Sequence, residues 1–297
     1  MLDELLGWGS LISNLPYGHA WRIRRRAFWQ EFNPARSVNH RPRQLWYSHD
    51  LLRLLLKDPD NFLYHIHYSL AASIISSTYG LDVRPENDPN IERAEKALDN
   101  FKHAAIAGLY LVDVLPFLKH VPSWMPGAGF KRFAEKSRPD TIDMLNAPFI
   151  EGCNRIREGM NEPSLLSRSL AKGGHSIEDH PLHPRALLRD EEYYPDPDTF
   201  RPERFLKDGK INPKVADPIP NFVICPGRFF AMDSLWLNIA SILTVFDITK
   251  AKDKEGRDIE PDIQWTPNFT RHIIPFKCSI KPRSPEAGKL IRDSELI

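Results

Sequence analysis

Cysteine is scarce in this chain: three residues in 297, at Cys153, Cys225 and Cys278. Their spacing gives no paired framework, so disulfides are not expected to build the fold, and a reducing compartment suits them. An excess of one charge is also missing, with 40 lysines and arginines against 39 acidic residues. That balance supplies no overall field for nucleic acid, and a nucleic-acid module would rest on Arg22, Arg24 and Arg26 alone. No apolar run approaches about 18 residues, and no basic N-terminal stretch precedes an apolar one, so neither a membrane span nor a signal peptide is expected. No internal repeat is present, and the length permits one large domain or two modest ones.

What is present is mainly helical patterning. The periodicity predicts helices over residues 21–31, 49–57, 59–79, 90–107 and 129–158, with an apolar loop at 108–125. Proline-rich irregular structure is expected over 181–220, then a buried helix over 228–246, then short strands and turns. The stretch 163–181 reads as the likeliest break in packing. His65 and His67 stand two apart and do not share a helical face, which argues against a zinc pair. His175, His180 and His183 read as loop residues rather than ligands.

Three segments carry chemistry. Cys225-Pro226-Gly227-Arg228 stands directly before an apolar helix, where turn and helix-start N–H groups can stabilise a thiolate. Upstream, Tyr194-Pro195-Asp196-Pro197 and Phe200-Arg201-Pro202-Glu203-Arg204-Phe205 form a stiff segment, too rich in proline for a helix. Near the start, Trp21, Arg25 and Phe28 fall on one helical stripe. An indole N–H and a guanidinium aimed at one point suit a carboxylate. Each alone has a bland reading: a packed cysteine beside a turn, a surface loop, a solvated basic helix.

Taken in order, the three segments resemble the haem-thiolate loop, the PERF segment and the C-helix motif of cytochromes P450. Tyr79-Gly80-Leu81-Asp82-Val83, Pro126-Gly127-Ala128-Gly129-Phe130 and Ile274-Pro275-Phe276 are similar to fungal secondary-metabolism members, and the resemblance covers most of the chain. It implies a mainly α fold with minor β structure, as an incomplete cytochrome P450-like fold. It also implies a haem b cofactor with Cys225 as axial thiolate ligand to iron, which favours O–O cleavage. Trp21 and Arg25 would hold the propionates, Gly227 would let the loop turn, and Arg228 would assist beside it. Glu203 and Arg204 would be structural, and no catalytic residue is assigned. The family's reaction inserts one atom of O₂ into a lipophilic organic substrate, with electrons from NADPH through cytochrome P450 reductase. Arg22, Arg24 and Arg26 read either as a solvated face or as a patch for that reductase. Tyr110, Leu111, Phe117 and Trp124 read either as interior packing or as a membrane-dipping loop. The family typically resides at the endoplasmic reticulum membrane.

The chain also departs from the family pattern Phe-x-x-Gly-x-Arg-x-Cys-x-Gly. Pro218, Asn221 and Val223 stand at the earlier positions, and only Cys225 and Gly227 match. Between Ala171 and Arg189 neither the oxygen-activating Ala-Gly-x-Asp/Glu-Thr motif nor Glu-x-x-Arg occurs. The expected organisation is a helical part over 1–171, a junction at 172–189 where two family helices are missing, and a haem-loop part over 190–297. An N-terminal portion is expected to be missing as well. The alternative function is a non-catalytic remnant, or the product of a misread gene, with weak or no haem binding.

Overall fold

The computed structural model describes residues 1–12, 14, 19–106, 108–160, 162–171, 206–207, 210–211, 227–266 and 272–294. The chain divides into two compact units, a larger one of 1–9, 38–175 and 232–297 and a smaller one of 10–37 and 176–231.

In the larger unit, α3 (Arg41–Lys57) and α4 (Phe62–Tyr79) pack together. α3 buries Gln44, Tyr47, Ser48, Leu51, Leu52 and Leu55, the three-and-four spacing of a single helical face. α3 extends eight residues before the predicted start at His49, because Pro42 suits a first turn and Gln44 and Tyr47 continue the buried stripe. Gly80 ends α4 in the left-handed conformation at φ 71°, its N–H donating to the Ser76 carbonyl at 2.8 Å. Asp88 starts α5 (Pro89–Ala104) by accepting from the Asn90 and Ile91 N–H groups at 2.9 and 3.2 Å. Helix α6 (Gly129–Arg157) runs through Pro139 and Pro148 and packs on α5. Residues 165–171, inside the predicted break, form α7 (Leu165–Ala171) with Leu165 and Leu166 buried.

Downstream, α8 (Arg228–Val245) begins in the smaller unit and continues in the larger one, leading into β3 (Phe246–Lys252). β3 is the centre of an antiparallel sheet with β4 (Asp258–Ile259) on one side and β5 (Cys278–Pro282) on the other. α9 (Pro285–Asp293) follows, a helix where only strands and turns were expected. Its start was legible: Ser284 accepts from the Ala287 N–H at 3.1 Å and Pro285 sets the first turn. Leu51, Leu55, Phe62, Val245, Phe246, Ile280 and Ile291 form one core where these elements meet.

A second cluster is built on Tyr47, Tyr68, Ala72, Val83 and Ile91. The single Tyr68 hydroxyl proton lies within reach of Asp50 Oδ2 at 2.9 Å and the Val83 carbonyl at 3.1 Å. Burial and the neighbouring Asp50 charge hold that hydroxyl protonated well above the ordinary range. Tyr68→Phe leaves part-buried acceptors without their donor and is expected to cost about 1–2 kcal/mol in urea unfolding. An unchanged midpoint would show that Asp50 is satisfied without it.

The loop between α5 and α6 corrects the interior-packing reading. Val112 is buried and Tyr110 stacks on Phe133, but Leu111, Val114 and Phe117 are exposed and Trp124 is 77% exposed. Two short 3-10 turns at Leu111–Asp113 and Pro116–His120 hold these side chains outward. Among the described residues, no helix is long and apolar enough to cross a membrane.

Candidate functional site

The smaller unit contains α1 (His19–Phe32), α2 (Pro34–Ser37), the two-residue strands β1 (Leu206–Lys207) and β2 (Lys210–Ile211), and the first turn of α8. α1 carries Trp21, Arg25, Phe28 and Phe32 at helical spacing. Phe28 and Phe32 stack at 5.0 Å, and Phe32 is buried. Asn33 closes α1 by donating to the Trp29 and Gln30 carbonyls, and Pro34 opens α2 at once. Ser37 Oγ donates to the Phe32 carbonyl at 3.1 Å, fixing the turn between the helices.

Two aromatic pairs join α1 to the start of α8. Trp29 meets Phe229 edge-on at 6.1 Å, and Phe32 meets Phe230 at 5.7 Å with the rings nearly perpendicular. These contacts bring together segments about two hundred residues apart in sequence, and Phe229 and Phe230 follow Cys225 by four and five residues. The Arg228 guanidinium lies 4.3 Å over the Phe229 ring, and both Gly227 and Arg228 are half-buried. The Gly227 carbonyl accepts from the Ala231 N–H at 3.0 Å, so the helix starts there. Its first turn carries the positive end of the helix dipole.

Of the residues singled out in the sequence, Arg25, Gly227 and Arg228 fall in this unit, with Arg25 half-buried on the Phe28–Phe32 stripe. Cys225, Glu203, Arg204 and the Trp21 side chain lie outside the described residues. So does the junction at 172–189 with its three histidines. His65 is buried, its Nε2 2.9 Å from the Asp58 carbonyl, while His67 is exposed beside His272. Sequence reasoning missed the aromatic clamp of Trp29, Phe32, Phe229 and Phe230. Its signal was two adjacent phenylalanines at a helix start, an expensive pair unless another apolar stripe covers them.

The donor chemistry fits the proximal side of a haem. A thiol ahead of a helix N-terminus can be held as thiolate, and guanidinium groups in the same unit suit carboxylates. Cys278 differs: burial, and then the charge of Asp60, push its thiol upward, so it stays protonated at neutral pH.

The family model described as Cytochrome P450 matches residues 182–278. Cytochrome P450 monooxygenase 98 of Postia placenta is 31% identical over 405 residues, covering 98% of this chain and 78% of the relative. Tryptamine 4-monooxygenase of Psilocybe cyanescens is 27% identical, covering 98% and 80%. A zebrafish cytochrome P450 structure aligns with a TM-score of 0.50 at 17% identity, over 95% of this chain and 86% of that one. The first alignment spans 405 residues, more than the 297 of this chain. Because 98% of this chain is aligned, the excess lies within the aligned region, as residues the relative has and this chain does not.

Proposed function

This chain belongs to the cytochrome P450 monooxygenase family, and from that premise we propose that its smaller unit forms the proximal half of a haem-thiolate site. The observation that carries the reading is the packing of α1 on the turn after Cys225, through Trp29–Phe229 and Phe32–Phe230. Cys225 is the axial ligand, its charge stabilised by the positive end of the α8 dipole. Trp21 and Arg25 bind propionates from α1, and Arg228, stacked on Phe229, adds positive charge beside the loop. When bound, the haem supplies the dioxygen chemistry by which the family oxidises an organic substrate. The substrate is lipophilic, and a reductase carrying electrons from NADPH is the partner.

The full chain, expressed with a haem precursor, tests this. It is expected to copurify with haem and to give the strongly red-shifted ferrous–CO band of thiolate ligation. A chain that folds but takes up no haem would leave the non-catalytic remnant as the better reading.

Turnover is a separate matter. The excess length of the alignment, together with the missing motifs between Ala171 and Arg189, supports a chain deprived of its distal wall. An open distal side would admit water to the site. With reductase and NADPH, the chain is expected to oxidise less than about a hundredth as much substrate per NADPH as an intact relative. Tightly coupled oxidation would refute this.

A further inference from the structure

In the larger unit, α4 carries a histidine that the haem reading leaves unused. His67, exposed on that helix, meets His272 with ring centres 5.9 Å apart and planes at 82°. The His272 backbone is held twice by one residue: its N–H donates to Thr266 Oγ1 at 2.9 Å, and its carbonyl accepts from the Thr266 N–H at 2.8 Å. Ile273 bridges Trp265, and the Ile274 N–H donates to the Gln264 carbonyl at 2.8 Å. The Phe276 ring then packs on Phe62 of α4 at 5.3 Å. A braced segment and a helix therefore present the two imidazoles, which fixes a site better than a loose loop does.

Nε2 of His272 is buried and, among the described residues, has no hydrogen-bond partner. A buried ring nitrogen left unpaired is unfavourable, and a metal ion is a group that can satisfy it. Burial, then the charges of Lys102 and His67, push the His272 ring below its ordinary range, which leaves a lone pair at neutral pH. Asp99 pairs with Lys102 at 2.8 Å and offsets that cation. A metal held at about 2.0–2.1 Å by one nitrogen of each ring puts the ring centres about 5–6 Å apart. The observed 5.9 Å stands at the wide end of that range. Among the described residues, no group of three or more histidines, cysteines and carboxylates is arranged to hold a metal. Water must then fill the remaining positions, and the protein's hold rests on two imidazoles. Such ligands suit Cu²⁺, Ni²⁺ and Zn²⁺, with Cu²⁺ bound most tightly. We infer that His67 and His272 chelate a divalent transition-metal ion, Cu²⁺ ahead of Zn²⁺, which clips the segment before β5 onto α4. The inference stands apart from haem ligation.

Cu²⁺ titrated into the full chain, produced without a histidine tag, is expected to bind one to one by calorimetry. Pulsed EPR of the one-equivalent complex should show two coupled imidazoles. Removing an outer-shell partner already costs metal sites about 10–100-fold in affinity, so losing one of two protein ligands should cost at least about tenfold. His67→Gln and His272→Gln should each show that loss and a single-imidazole spectrum. His67 is exposed, so His67→Gln should leave the circular dichroism of the chain unchanged. His120→Gln, at an exposed histidine between α5 and α6, should alter neither affinity nor spectrum. The ion should raise the urea midpoint of the wild-type chain and of His120→Gln, but not that of His67→Gln. One-to-one binding that neither glutamine variant weakens would overturn the inference, and so would weakening by only one of them. The absence of one-to-one binding would overturn it as well, leaving the two rings as a packing contact. Haem content measured on the same samples shows separately whether the thiolate reading stands.

Discussion

Cys225→Ser is expected to erase the red-shifted ferrous–CO band, while Cys153→Ser and Cys278→Ser leave it in place. The three thiols differ in what surrounds them. Cys278 sits on β5 opposite Lys250, and burial with the nearby charge of Asp60 raises its thiol above the ordinary range. Its folded value lies above the unfolded one, so at neutral pH it remains a thiol and ligates poorly. Cys153 lies inside α6, where the neighbouring N–H groups are spent on the helix ladder. Cys225 alone stands ahead of a helix start, two residues before the carbonyl that opens α8. Serine at that position keeps the shape but titrates far too high to supply an anion, so the loss should be complete rather than graded. The band surviving Cys225→Ser, or vanishing with Cys278→Ser, would reassign the ligand.

The helices were legible where one face is apolar and local caps agree. The start of α5 at Asp88-Pro89 and the end of α4 at Gly80 follow from chemistry within a few residues. α8 was located well but its burial was misjudged. An almost wholly apolar run reads as buried all round, yet burial depends on the neighbours that fold against it. Here Ser234 and Asn238 face the interior while Trp236 and Leu243 face outward. The apolar loop at 108–125 stayed open between interior packing and exposure for the same reason, since no periodicity tells an interior aromatic from an exposed one. For the candidate site, the stripe on α1 and the turn at Gly227 were each readable. Their meeting through Phe229 and Phe230 was not, because it joins residues whose pairing no local pattern encodes.

Gly152→Val is expected to destabilise the larger unit by about 3 kcal/mol, among the largest effects of any single change away from the site. Gly152 lies in the body of α6, where glycine costs about 1 kcal/mol relative to alanine. The compensation is contact: α4, α6 and α7 converge there. A Cβ at this position would stand 2.6 Å from Leu166 Cδ2 and 2.9 Å from the Tyr79 carbonyl oxygen. The leucine methyl can swing aside, but the Tyr79 carbonyl belongs to the last turn of α4 and moves only with it. Moving α4 would also disturb Gly80, whose own ideal Cβ position is 3.3 Å from the Glu162 carbonyl ahead of α7. Alanine gains helix propensity and loses packing, so Gly152→Ala should fall between wild type and valine. Gly129→Ala is the control, since its Cβ would meet nothing closer than an Arg132 nitrogen at 3.8 Å. In urea unfolding, the midpoint should fall in the order Gly129→Ala, Gly152→Ala, Gly152→Val. Equal midpoints for Gly129→Ala and Gly152→Val would mean that α6 and α4 do not approach this closely in solution.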